Sequence, residues 1–204
     1  MMRFFDFLFP PRVDEIALRG VSADGFLALL VPRLVLETRP ETVALLPFNN
    51  PGVRAALHEA KYHGSERAFE LFALALAEYL RDADEGACKP IIVPVPLGKE
   101  RFKERGFNQV EEITRRALRS LDDHFVLNTN LLERVKETQT QVSLEKRRRE
   151  ENMQGAFKAT RLVNSSHTYF VVDDVITTGA TLQAAIDALK DAGAKHIIPL
   201  ALAH

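Results

Sequence analysis

Two adjacent aspartates, Asp173 and Asp174, follow the apolar run Tyr169-Phe170-Val171-Val172 and precede Val175-Ile176-Thr177-Thr178-Gly179-Ala180-Thr181. Ionised carboxylates only accept hydrogen bonds, whereas a ribose diol offers two donors. The same carboxylates attract magnesium, usually through water. The residues behind them suit a phosphate. Thr177, Thr178, Gly179, Ala180 and Thr181 lead straight into Leu182, Ala185, Ile186 and Leu189 at helical spacing. Free backbone N–H groups and the positive end of a helix dipole then face one anion. Each half also has a bland reading, in which the aspartates end a strand and Thr177 or Thr178 caps a helix. Together, an apolar strand, paired Asp, small residues around Gly179 and an amphipathic helix are far more specific than a lone glycine loop.

The elements that must hold these residues are legible as alternating strands and helices. Ligands of an open parallel sheet sit beyond the carboxyl ends of its strands, and a strand ending at Val172 delivers Asp173 and Asp174 there. Ile91-Ile92-Val93 is a second continuous apolar run, closed by Pro94 and Pro96, and a loop is expected to follow it. From the N-cap candidate Asn108, helical spacing continues through Val110, Ile113, Ala117, Leu118 and Leu121. Upstream, the run Thr42–Leu46, the turn Asn49-Asn50-Pro51-Gly52 and a helix with Val53, Ala56, Leu57 and Ala60 form another unit, broken at Gly64 before a second helix through Leu80. Phe125-Val126-Leu127 and Leu131-Leu132 read as short strands, residues 136–152 as an exposed polar excursion, and Ile197 to Leu202 as the last strand, after Gly193 closes the preceding helix. The fold class is therefore α/β, a mostly parallel twisted sheet with helices on both faces. Residues 47–204 form its main domain, and residues 1–46 form a small N-terminal extension.

Charge and cysteine usage narrow the function classes. Lys and Arg total 27 against 28 Asp and Glu, so the net charge of −1 gives no chain-wide field for nucleic acid. With no tryptophan and no basic stretch interleaved with aromatics, direct binding of single-stranded nucleic acid is not expected. Cys88 is the only cysteine, which leaves neither an internal disulfide nor a cysteine-based zinc site within one chain and fits a reducing cytoplasm. The six histidines read as scattered, without metal-ligand spacing. The run Phe4-Phe5-Asp6-Phe7-Leu8-Phe9 is short, carries a charge and lacks a cleavage pattern; packing onto the domain is favoured over a membrane-surface role. Between Ile16 and Leu46, charged residues interrupt every apolar stretch, so no membrane span is expected.

The segment from Val172 to Thr181 resembles the 5-phosphoribosyl-1-pyrophosphate signature of type I phosphoribosyltransferases. Further segments are similar to motifs of the competence protein F family (ComF, also GntX), in the same order. They are Pro94-Val95-Pro96-Leu97, Arg101, Arg105-Gly106-Phe107-Asn108-Gln109, Gln141, Leu144, Arg148, Asn152 and Gly155-Ala156-Phe157. The resemblance spans about Lys61 to the C-terminus and implies a type I phosphoribosyltransferase fold. It implies that Asp173 and Asp174 hold the ribose diol and magnesium, and that Thr177, Thr178, Gly179, Ala180 and Thr181 hold the 5-phosphate. Pro94, Val95, Pro96, Leu97 and Arg105 would meet pyrophosphate. The excursion between residues 136 and 157 would close over substrate, with Arg148 and Asn152 near the chemistry. Lys61, Tyr62 and Gly64 match a recurring Lys-aromatic-x-Gly element. Some family members handle DNA during natural transformation, so proteins of DNA uptake are possible partners; a dimer is compatible with the sequence. The family also has a four-cysteine zinc module at its N-terminus, and this chain departs there, with no cysteine or histidine in residues 1–46. The expected reaction is displacement at the anomeric carbon by an unknown acceptor. The alternative is a non-catalytic phosphoribosyl-binding adaptor.

Overall fold

The computed structural model describes residues 11–83, 90–121, 123–136 and 153–204. A six-stranded sheet runs β1 (Arg33–Val35), β2 (Thr42–Leu46), β8 (His196–Ala203), β7 (Thr168–Val175), β3 (Ile91–Pro94), β4 (Val126–Leu127) in spatial order. Every pairing from β2 to β4 is parallel, and only β1 joins antiparallel. The boundary between residues 1–46 and 47–204 falls at the end of β2, which hydrogen-bonds β8 inside this sheet.

Because side chains alternate along a strand, each central strand feeds two cores. Phe170, Val172, Ile92, Leu200 and Leu202 face helices α3 (Pro51–His63), α4 (Glu66–Asp82) and α6 (Gln109–Leu118). Tyr169, Val171, Val93 and Ala201 face α7 (Ala180–Asp191) and a two-stranded antiparallel sheet of β5 (Leu132–Arg134) and β6 (Phe157–Ala159). Burial on both faces explains the non-alternating apolar runs.

The N-terminal region adds two short helices that its sequence did not announce, α1 (Val13–Arg19) and α2 (Ala23–Leu27). Seven- and five-residue helices carry too few turns for a periodic signal. They are held by tertiary contacts instead. Phe26 is fully buried, with its ring 5.3 Å from Phe72 in an edge-to-face pair. Arg12 donates to both carboxylate oxygens of buried Glu59, at 2.9 and 2.7 Å. The segment Phe4 to Phe9 lies outside the described residues, as does Cys88.

Two boundaries differ from expectation. The strand expected to stop at Val172 continues to Val175, because β8 keeps pairing with it through Asp173↔Ala201 and Val175↔Ala203. On its other side, β3 stops opposite Val172, at Pro94. In place of a simple loop after β3, Lys99–Arg105 form helix α5, opened at Gly98 and closed by Gly106 in the left-handed region at φ 78°. It buries no residue, so no apolar periodicity marked it.

Candidate functional site

The mismatch between β7 and β3 makes the site. Beyond Val172, β7 is paired on one flank only, and Asp173 and Asp174 line a pocket of about 370 Å³. Val95, Pro96, Leu97, Arg101, Arg105 and Gln109 line its second side, and Lys61, Leu57 and Phe48 its third. Arg134 from β5 also reaches it, next to the excursion expected to close over substrate. The antiparallel strands β5 and β6 flank that excursion in sequence, with Arg134 opposite Phe157 and Lys136 Nζ donating to the Gln154 carbonyl at 2.7 Å. Arg148 and Asn152 lie outside the described residues.

The turn into α7 follows directly. Ile176 N–H still donates to the Ala203 carbonyl at 3.1 Å, and residues 177–179 then turn into α7. The N-cap is Gly179, at φ 72° and without a side-chain capping hydrogen bond, so neither Thr177 nor Thr178 caps the helix. A Cβ on Gly179 would come within 2.8 Å of both the Cβ and carbonyl oxygen of Glu37. Glycine is therefore required twice, by its φ and by the close approach of the β1–β2 connection. That connection is tied to α7 by Arg39 N–H donating to Gln183 Oε1 and Lys190 Nζ donating to the Arg39 carbonyl, each at 2.7 Å. A small hollow lined by Asp173, Thr177, Thr178, Gly179, Ala180 and Thr181 results, opening at a helix N-terminus.

The segment after β3 is tethered at Val95 and offers an anion fewer backbone donors than its length suggests. Val95 donates its N–H to the Val172 carbonyl, and its own carbonyl accepts from Asn108 Nδ2, both at 2.9 Å. Asn108 also caps α6 by accepting from Val110 N–H at 3.0 Å, which fixes strand end and helix start together. Pro94 and Pro96 carry no N–H, so within 94–97 the remaining backbone donor for an anion is that of Leu97.

The carboxylates have unequal surroundings. Asp173 Oδ1 accepts from the Asp174 N–H at 2.8 Å. Burial, and then the charge of Asp174, push the Asp173 carboxyl up to about 7, while that hydrogen bond, Lys61 and Arg101 act the other way. Asp174 Oδ2 accepts from Lys61 Nζ at 3.0 Å and from Gln109 Nε2. Gln109 Oε1 in turn accepts from Arg105 Nη1 at 3.0 Å. Sequence reading placed Gln109 and Lys61 in motifs without giving either a role; helix spacing marks neither as facing a distant strand. Two crowded carboxylates, one resisting ionisation, fit a divalent cation held through oxygen.

The histidines require a correction. His58, Glu59 and His63 place ligand-type atoms within 4.8 Å of one another, and four residues between the histidines is ordinary metal-ligand spacing. Both Glu59 oxygens are already held by Arg12, and His58 Nδ1 lies 2.9 Å from Asp14 Oδ2.

Among the described residues, no helix is long and apolar enough to cross a membrane. Residues 121–204 match the phosphoribosyl transferase domain. The chain is 36% identical over 108 residues to competence protein F of Haemophilus influenzae, covering 52% of this chain and 46% of that protein. It is 34% identical over 135 residues to the DNA utilization protein YhgH of Escherichia coli strain K12, covering 65% of this chain and 58% of that protein. Against the competence protein ComFC of Streptococcus pneumoniae, identity is 27% over 149 residues, covering 72% of this chain and 61% of the relative. The aligned regions thus span about half the length of these relatives. Sheet order, the paired aspartates on β7, the domain match and these relatives agree, and the chain is similar to phosphoribosyltransferase-like proteins of the competence protein F family.

Proposed function

We propose that the chain binds 5-phosphoribosyl-1-pyrophosphate with magnesium in the β7 pocket and transfers the phosphoribosyl group to an acceptor. The observation that carries this reading is the extension of β7 past β3. It sets Asp173 and Asp174 on a pocket wall beside the uncapped start of α7. The backbone of residues 177–181 would hold the 5-phosphate, and Asp173 and Asp174 the diol and the metal. Leu97 N–H, Arg101 and Arg105 border the space where pyrophosphate would lie. Magnesium, when bound, would supply charge neutralisation for the departing pyrophosphate. The residues themselves orient the sugar and stabilise charge at positions fixed before reaction.

A second reading is favoured by the names of the relatives, competence protein F and DNA utilization protein. In it, the same pocket senses a phosphoribosyl ligand and the chain acts as an adaptor among proteins of DNA uptake. Cys88, alone in the sequence, suits a cytoplasmic setting for either role. Pyrophosphate release, assayed with magnesium and a panel of purines, pyrimidines, amines and oligonucleotides, separates them. Turnover lost in Asp174→Asn supports the transferase. Tight ligand binding with release no faster than in buffer, for every acceptor, supports the adaptor.

A further inference from the structure

Asp174 closes a ring of polar contacts drawn from four elements. Lys61 Nζ, at the end of α3, donates to Asp174 Oδ2 at 3.0 Å, and Gln109 Nε2, at the start of α6, donates to the same oxygen. Arg105, at the end of α5, donates to Gln109 Oε1 at 3.0 Å. Its guanidinium lies 5.0 Å from the ring centre of Tyr62, the neighbour of Lys61. The Lys61 and Asp174 side chains are only 21% and 13% exposed, so solvent and salt weaken their attraction incompletely.

This arrangement puts a fixed positive charge on the oxygen that a divalent cation and a ribose hydroxyl would both seek. Lysine suits a contact that changes hands, because its ammonium is a compact charge on a flexible four-carbon stem. Gly64, in the left-handed region at φ 57°, ends α3 three residues later and leaves Lys61 in its last turn. Resting on the proposed phosphoribosyl site, we infer that Lys61 holds Asp174 in the ligand-free pocket and leaves it for the ligand's phosphate oxygens, freeing Asp174 for the metal. Metal alone then competes with Lys61, and repulsion between the two cations opposes binding. A phosphate-bearing ligand gives Lys61 a new partner and removes the competition, so metal and ligand assist each other through one side chain.

Manganese, a paramagnetic stand-in for magnesium, tests this by electron paramagnetic resonance titration of the wild type, Lys61→Met and Lys61→Arg, with thermal melts to verify folding. With Mn²⁺ alone, Lys61→Met should bind about fivefold more tightly than wild type, the size expected on removing one partly screened neighbouring cation. Lys61→Arg should stay near wild type. In a second arm, inorganic pyrophosphate should strengthen Mn²⁺ binding to the wild type, over and above complexation in solution, and should do so much less in Lys61→Met. Unchanged Mn²⁺-alone affinity in folded Lys61→Met overturns the inference, as does full pyrophosphate enhancement in that variant. Tighter Mn²⁺ binding in Lys61→Met together with no binding of phosphoribosyl pyrophosphate to any variant would support the exchange at Asp174 while removing the proposed function.

Discussion

The two sides of the pocket are built on different principles. On the α7 side, a run of eleven or so consecutive residues supplies strand end, carboxylates, turn and helix start, and what it offers to an anion is backbone N–H groups. On the helix side, Lys61, Arg105 and Gln109 come from three separate helices and act through side chains. The first side is specified by local sequence and needs glycine where the backbone is crowded. The second exists only once α3, α5 and α6 are packed against the sheet. Damage to packing should therefore disable the helix side first, and damage to the turn should disable the α7 side alone.

The largest effect on the helix side should come from Arg12→Ala, which leaves Glu59 buried and unpaired inside α3. A loss of about 3 kcal/mol is expected, toward the low end for orphaning a buried charge because Arg12 itself is half exposed. Denaturant unfolding checks it. The hydrogen bond and charge of Arg12 hold the Glu59 carboxyl below its ordinary 4.5. That contribution is present above pH 4.5 and fades as pH falls through the lowered value, so the gap between variant and wild type should narrow in acid. A gap independent of pH would show that packing, not the pair, is responsible.

Next in size, Gly179→Ala should cost about 1–3 kcal/mol, since the residue has φ 72° and its new methyl would press on Glu37 and Thr38. Chemical denaturation should show this loss, and calorimetry should show phosphate-ligand affinity falling while Mn²⁺ binding at Asp174 is retained. Equal loss of both would break the distinction between the two sides.

The contrast also explains what the sequence revealed. Val171 through Thr181 were readable because every requirement sits within a few residues, and the expected strand end missed only by the three residues that β8 alone supports. The alternation of strands and helices was readable because both sheet faces are buried. Lys61 and Gln109 were not, since a lysine in a last helical turn and a glutamine after an N-cap look like ordinary surface choices until Asp174 is placed beside them. Helices α1, α2 and α5 escaped because tertiary pairs such as Phe26 with Phe72, or glycine at both ends, define them in place of periodicity. Roles for Arg148 and Asn152 rest on resemblance, as both lie outside the described residues.

A pH-dependent effect sharpens the electrostatic side of the comparison. Burial and Asp174 raise Asp173 from 3.8 to about 7, so the fold favours its neutral form. The stability this group contributes is fully present below pH 3.8 and is lost as pH rises through about 7. In metal-free buffer at pH 8, Asp173→Asn should therefore melt higher than wild type, by about 3 °C or more at this chain length. The difference should shrink as pH falls toward 4, and a difference that stayed constant would assign the effect to something other than ionisation.

The most direct test of the central claim is calorimetric titration of 5-phosphoribosyl-1-pyrophosphate with magnesium into the wild type and into Asp173→Asn combined with Asp174→Asn. The account predicts saturable binding to the wild type and a loss of at least about a hundredfold in the double variant, as expected when two charge-assisted contacts are removed. Equal affinity in the two proteins would contradict it and reduce the aspartates on β7 to the structural end of a strand.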